Sequence, residues 1–263
     1  LTDSPSDDGP INPIGRWYKP WFYKHVEDIL NQGKEVIEYI PLRDYLHRHT
    51  RSYFWAMEEI ITFGNNPVFR LLLGWALPPR IELLKYTETE TTRRLREKHH
   101  VVQDMLMPMA LLKKSLEYFD DHFDLYPLWL SPMAVFDNAE HLGLIHPYNA
   151  PNGDRDPMYV DIGAYGTPKK PAFDGRKALP QLEQFVIENQ GYQALYAKTL
   201  LSEEDFRKMF DHAAYDRLRD SLPFCKQAFG EIYDKISSKG RISPVEMRKL
   251  KAGEDPNVDF SKD

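Results

Sequence analysis

The sequence predicts an α+β fold, a mixed or antiparallel sheet covered by helices. Segments of strand character alternate with segments of helical periodicity, but without the regular βαβ rhythm that builds a parallel sheet. Apolar residues make up 42% of the chain and aromatics 13%, with 15 Tyr, 14 Phe and 5 Trp, enough large flat surface for a core or a lined pocket. At 263 residues the chain is long enough for a real core.

Residues 1–15 (LTDSPSDDGPINPIG) are polar and rich in Pro and Gly, as expected of a linker. Aromatic residues from Trp17 lead into a helix reaching Asn31, with Val26, Ile29 and Leu30 on one side and Gly33 as its C′ residue. Residues 36–40 suggest a short strand. Residues 68–77 (VFRLLLGWAL) form an apolar helix, with Asn65 and Asn66 fixing the turn before it. That helix is about half the roughly 20 residues needed to cross a bilayer, and it contains Arg70. Residues 104–123 are the clearest helical stretch, because Met105, Met109, Leu112, Leu116 and Phe119 recur at helical spacing.

Strands are expected at 125–130, 158–165 and 193–197, with a Gly-, Pro- and Asn-rich loop over 137–156. A helix over 180–189 would place Pro180 in its first turn, with Leu182, Phe185 and Val186 apolar and Gly191 beyond its end. Ser202 opens another helix with Asp205 three residues on. Further helices cover 213–221 and 229–236, and a loose charged tail follows Ser237. The domain expectation is a linker over 1–15, one domain over 16–236 and a tail over 237–263. A start at Leu1 reads as a cut inside a longer protein.

A net charge of −6 gives no basic footprint, which argues against nucleic acid as a partner. The lone cysteine, Cys225, excludes an intrachain disulfide and a multi-cysteine zinc site. The sequence carries no GxGxxG, GxxxxGK[ST] or HExxH motif.

Reactive side chains concentrate in three places. YIPLRDYLHRHTRSYFW (39–55) holds Tyr45, His47, His49 and Arg51, a cationic rim suited to a cofactor phosphate with a His or Tyr able to give a proton. His47 and His49 would share one side of a strand, but no Cys, Asp or Glu set completes a metal site, so no metal is expected. REKHHVVQDMLMPM (96–109) holds His99 and His100, one of which can orient a ligand, and Asp104, read as a favourable charge at a helix start. YVDIGAYG (159–166) places Asp161 inside an apolar strand, where a carboxylate must be paired or sit at the sheet end. Gly163 and Gly166 permit close backbone approach.

These stretches resemble one family. WYKPWFYKHVEDIL (17–30), the 39–55 cluster, FGNNPVFRLLLGW (63–75), HHVVQDMLMPM (99–109), YVDIGAYG, GYQALYA (191–197), MFDHAAYDRLRD (209–220) and FGEIYDKI (229–236) follow, in order, the pattern of the delta-24-sterol reductases. The resemblance implies the C-terminal cap, or substrate-covering, portion of an FAD-dependent flavoprotein of the vanillyl-alcohol-oxidase type. Its partner would be its own N-terminal FAD-binding domain. It also implies reduction of a sterol side-chain double bond with NADPH as hydride donor, and inactivity of this portion alone. Attachment to the cytosolic face of the endoplasmic reticulum membrane would come through the parent protein, this portion itself being soluble.

On that resemblance, the expected acid or orienting groups are His49, Tyr45 and His99. Arg51, Tyr215 and Arg217 would contact the flavin, and Phe69, Leu72 and Trp75 would line the sterol pocket. Two other readings stay open: a sugar-acid or alditol-type oxidase on the same fold, and a catalytically inactive sterol-binding module.

Overall fold

The computed structural model describes residues 9–50, 55, 57–58, 61–76, 97–136 and 143–237. They belong to two compact units, Leu1–Thr87 and Glu88–Asp263. Arg51 and the tail after Ser237 lie outside the described residues.

In the first unit, helix α1 (Phe22–Asn31) ends as its sequence predicts, with Gly33 at φ +62 and its amide donating to the Leu30 carbonyl. The strand expected at 36–40 reduces to one parallel bridge between Tyr39 and Ile11. Helix α2 (Leu42–Leu46) follows, so His47 and His49 sit in a turn after a short helix and not on a strand. Helix α3 (Pro67–Leu73) opens on Asn66, whose side chain accepts from the Val68 and Phe69 amides and satisfies two donors a helix start leaves orphaned. Asn65 accepts from the Trp21 amide at 2.9 Å, and its own amide donates to the Tyr23 hydroxyl at 3.2 Å. The two asparagines thus fix this turn, as expected.

Within its own unit α3 has an inverted pattern. Its one charged residue, Arg70, is buried, while Val68, Leu71, Leu72 and the following Trp75 are exposed. Burial of Arg70 is tolerated because its Nε donates to the Lys19 carbonyl at 2.9 Å and its guanidinium lies over the Trp21 ring.

The second unit is built on a four-stranded antiparallel sheet in the order β2-β5-β1-β6. Its strands are β1 (Val101–Pro108), β2 (Leu128–Ala134), β5 (Met158–Gly166) and β6 (Tyr192–Gln193), while β3 (Tyr148–Asn149) and β4 (Arg155–Asp156) form a separate ribbon. The expected α+β class with an antiparallel sheet therefore holds. The register aligns Met105 with Ile162 and Met107 with Val160, so these side chains share one face. That face forms the core with Phe119 of α4 (Leu112–His122) and Leu182 and Val186 of α5 (Gly175–Glu188).

The helix expected over 104–123 is corrected here. Residues 101–108 are strand, and the helix starts only at Leu112, after a 3-10 turn over Met109–Leu111. Val101, Met105 and Met107 alternate into the core with the period of a strand, and Pro108, which has no amide to give a helix, closes the strand. Asp104 is accordingly an interior strand residue and not a helix-start charge. Two further strands shift: 125–130 becomes Leu128–Ala134, and 193–197 shrinks to Tyr192–Gln193. Helix α5 begins at Gly175, capped by Asp174, so Pro180 lies inside it.

Helices α6 (Glu203–Met209) and α7 (Ala213–Ser221) match their predictions, with Ser202 accepting from the Asp205 amide at 3.1 Å. The last predicted helix, 229–236, shortens to α9 (Ile232–Ile236), and a short helix that was not predicted, α8 (Cys225–Ala228), precedes it. Buried Glu183 of α5 ties this end of the chain together, accepting from the Thr199 hydroxyl at 3.0 Å and the Leu200 amide at 2.9 Å. Burial nevertheless pushes its carboxyl up to about 7.

Candidate functional site

The strand register defines a second sheet face, opposite the core. It carries Val102, Asp104 and Leu106 on β1, Asp161, Gly163 and Tyr165 on β5, and Trp129 and Ser131 on β2. One end is covered: Tyr159, also on this face, donates its hydroxyl to the carbonyls of His146 and Gln190. In the middle, Leu106, Trp129, Ser131 and Asp161 are only half-buried.

The arrangement depends on one missing side chain. Gly163 sits directly across from Asp104 on β1. A Cβ there would lie 2.7 Å from the Tyr165 hydroxyl and 2.8 Å from Asp104 Oδ1, closer than side chains approach. With glycine in place, the Tyr165 ring leans back over the bare backbone and its hydroxyl donates to Asp104 Oδ1.

Asp104 is 1% exposed, and its second oxygen, Oδ2, is buried without a hydrogen-bond partner. Burial raises its pKa, opposed by hydrogen bonding from the Tyr165 and Tyr196 hydroxyls. Both tyrosines keep their protons more firmly than usual, through burial and through the neighbouring carboxylate.

Asp161 lies between Leu106 and Ser131 on the flanking strands, its Oδ1 buried with no hydrogen-bond partner. Burial, reinforced by the negative charge of Asp104, pushes its carboxyl up to about 6. At neutral pH roughly a tenth of such a group carries its proton, far more than an ordinary aspartic acid. The face can therefore hold a proton on a half-buried carboxyl. The sequence reading noticed Asp161, Gly163 and Asp104 but placed Asp104 at a helix start, and so did not bring them together on one face. The alternation of Val101, Gln103, Met105 and Met107 ending at Pro108 was the signal that could have exposed Asp104.

The residues singled out from sequence are spread over both units. In the first, His49 packs edge-on to Phe22, with ring centroids 5.8 Å apart, and burial followed by the charge of Arg48 holds its pKa down to about 4. At neutral pH it is a neutral imidazole, able to orient a ligand but poorly able to act as an imidazolium acid. Tyr45 is exposed beneath the Arg48 guanidinium, 4.1 Å from its ring centroid. Phe69 is half-buried against Phe63, while Leu72 and Trp75 are exposed.

In the second unit, His99 is exposed just before β1, beside a hollow lined by Lys98, His122, Lys170, Asp174 and Lys177. The Tyr215 hydroxyl donates to Glu231 at 3.1 Å and accepts from the Ile232 amide, pinning α7 to the start of α9. Arg217 is exposed on α7.

Comparison with known proteins decides the family. The chain is 48% identical over 241 residues to Delta(24)-sterol reductase of Homo sapiens, covering 92% of this chain and 45% of that protein. It is 50% identical over 231 residues to Delta(24)-sterol reductase of Rattus norvegicus, covering 88% and 43% respectively. The chain belongs to the Delta(24)-sterol reductase family. The likeness extends to the Delta(24)-sterol reductase homolog of Caenorhabditis elegans, at 44% over 242 residues, 92% of this chain and 45% of that protein. The chain thus spans a little under half the length of these Delta(24)-sterol reductases. No protein-family model and no solved structure matches it. Among the described residues no helix is long and apolar enough to cross a membrane.

Proposed function

We propose that this chain is the substrate-covering portion of an FAD-dependent Delta(24)-sterol reductase, which saturates a sterol side-chain double bond with NADPH as the ultimate hydride donor. The relatives' names support the reaction class. The observation that carries the reading is the second sheet face, where half-buried Leu106, Trp129 and Ser131 surround the Asp161 carboxyl, which burial lets keep its proton to a higher pH than an ordinary aspartic acid.

The chemistry explains why such a wall is needed. An isolated trisubstituted alkene is a poor hydride acceptor. It becomes a good one when its less substituted carbon gains a proton and the other carbon takes on tertiary-cation character. That requires an acid, exclusion of water and fixed placement. Trp129, Tyr165 and Tyr196 supply aromatic surface beside the acids, which favours developing positive charge.

A flavin fits the same face. The Gly163 backbone is itself buried under the Tyr165 ring, so the planar flavin ring would lie against Leu106, Trp129 and Ser131, which are half-buried beside it. When bound, FAD would supply the hydride. Phosphate binding falls to a separate FAD-binding domain, with Arg51 and Arg217 proposed as contacts from this chain and Tyr215 as a support of the α7 end. His49 and Tyr45 act as orienting groups, and Phe69, Leu72 and Trp75 offer apolar surface to the sterol. Membrane attachment, at the endoplasmic reticulum, belongs to the parent protein.

Anaerobic mixing of the complete parent protein, reduced by NADPH, with a sterol bearing the side-chain double bond tests this reading. The flavin absorbance is expected to return on adding the sterol and not on adding its saturated counterpart. Return on adding sugar acids, or with oxygen alone, would replace the reading with an oxidase.

A further inference from the structure

We propose that Asp161 is the acid that protonates the alkene, and that Asp104 is its positioning partner, held by Tyr165. The inference rests on the reductase reading and deepens it by assigning the proton.

Three geometric facts select Asp161 among the candidate acids. It lies on the central strand of the three that form the open face, opposite Leu106 on one side and Ser131 on the other, so a substrate against the face meets it at the middle. It is half-buried, whereas Asp104 is fully buried, and among the described residues its buried Oδ1 has no hydrogen-bond partner that would hold the carboxyl away from a substrate. Asp104, by contrast, is 1% exposed and already receives the Tyr165 hydroxyl, so it can hold charge but cannot reach a substrate. Among the described residues, the charged and titratable groups around Asp161 on this face are Asp104 from β1, Tyr165 from its own strand and Tyr196 from the turn after β6. None of them is a cation that would strip its proton.

The division of labour follows from the two environments. Tyr165 and Tyr196 favour the ionised form of Asp104, and the resulting negative charge favours the protonated form of Asp161. In the reaction the Asp161 O–H bond breaks and its proton forms a C–H bond at the less substituted alkene carbon. The π electrons leave the other carbon electron-deficient, and a hydride with its electron pair, from the reduced flavin, forms the second C–H bond there. Asp161 is left as a carboxylate and regains a proton from solvent. The two electrons that the alkene gains would come from reduced FAD when it is bound.

The test uses the complete parent protein with FAD, anaerobically, and reads the two half-reactions separately. In Asp161→Asn the flavin is still reduced by NADPH, but its reoxidation by sterol slows by about 100-fold or more, and Asp161→Glu recovers part of that loss. In the wild type the reoxidation rate falls as pH rises through the pKa of Asp161, and Asp104→Asn moves that fall to lower pH. A merely structural role for Asp104 would not move it. Sterol-driven reoxidation at the wild-type rate in Asp161→Asn would overturn the assignment while leaving the reductase reading intact. A wild type that does not react with sterol at all would sink the reductase reading itself. Should Asp161→Asn not fold, the pH fall and its displacement in Asp104→Asn decide, and their absence counts against the proposal.

Discussion

The Tyr165 hydroxyl donates to the Asp104 carboxylate across the β1–β5 ladder, passing over the backbone of Gly163, which stands directly opposite Asp104. One glycine therefore decides whether a buried carboxylate has its donor.

Replacing that glycine should cost both stability and turnover. In Gly163→Ala the new methyl meets the Tyr165 hydroxyl at 2.7 Å and Asp104 Oδ1 at 2.8 Å, so the ring must leave Asp104. Overpacking together with a broken buried hydrogen bond is expected to lower stability by about 1–3 kcal/mol. Urea denaturation measures the loss, and an unchanged midpoint would show that the ring has room to move.

Removing only the hydroxyl isolates the electrostatic part. Tyr165→Phe leaves Asp104 without the hydrogen bond that favours its charged form, so its folded-state pKa rises further. A folded pKa raised above the unfolded one gives stability that is present at low pH and lost as pH rises through the folded value. The variant should therefore lose more stability at pH 8 than at pH 4, and an equal loss at both would mean that Asp104 stays neutral.

Glu183 makes a second pH-dependent prediction away from the site. Its carboxyl is raised to about 7, so its contribution to stability declines as pH climbs from near 4.5 through 7. Glu183→Gln keeps an oxygen for the Thr199 hydroxyl and the Leu200 amide but cannot ionise. Relative to wild type the variant should gain stability between pH 5 and pH 8, read from denaturation midpoints. A relative loss over that range would show that the charge itself is needed.

In the first unit, Asn66→Ala removes the acceptor for the Val68 and Phe69 amides at the start of α3. A loss of about 0.5–2 kcal/mol is expected. On the same helix Leu72→Gln should change stability by no more than about 0.5 kcal/mol, because Leu72 is 62% exposed. If α3 contacts the sterol, that variant weakens sterol binding by the complete protein. Wild-type binding would remove Leu72 from the pocket.

Much of the fold was legible in the sequence because local rules fixed it. Ser202 and Asp205, Asn66, Gly33 and the apolar run of β5 each state their own structure. What misled was the junction at residues 101–112, where Met105, Met109 and Leu112 keep a helical spacing across a boundary between strand and helix. The site was harder to read for the same reason. Asp104 lies on β1, Asp161 and Tyr165 on β5 and Tyr196 in the turn after β6, and the register of an antiparallel sheet sets Asp104 beside the β5 pair. His49 illustrates the converse: the resemblance suggested an acid or orienting group, but burial and the charge of Arg48 keep it neutral.

Isotope-resolved mass spectrometry of the product tests the central claim most directly, using the complete parent protein with FAD, NADPH and a side-chain-unsaturated sterol in deuterated water. The account predicts that the product gains two hydrogens at the double bond, with solvent deuterium at the less substituted carbon and the hydride at the other. No conversion with FAD bound, or no solvent deuterium at the less substituted carbon, would contradict it.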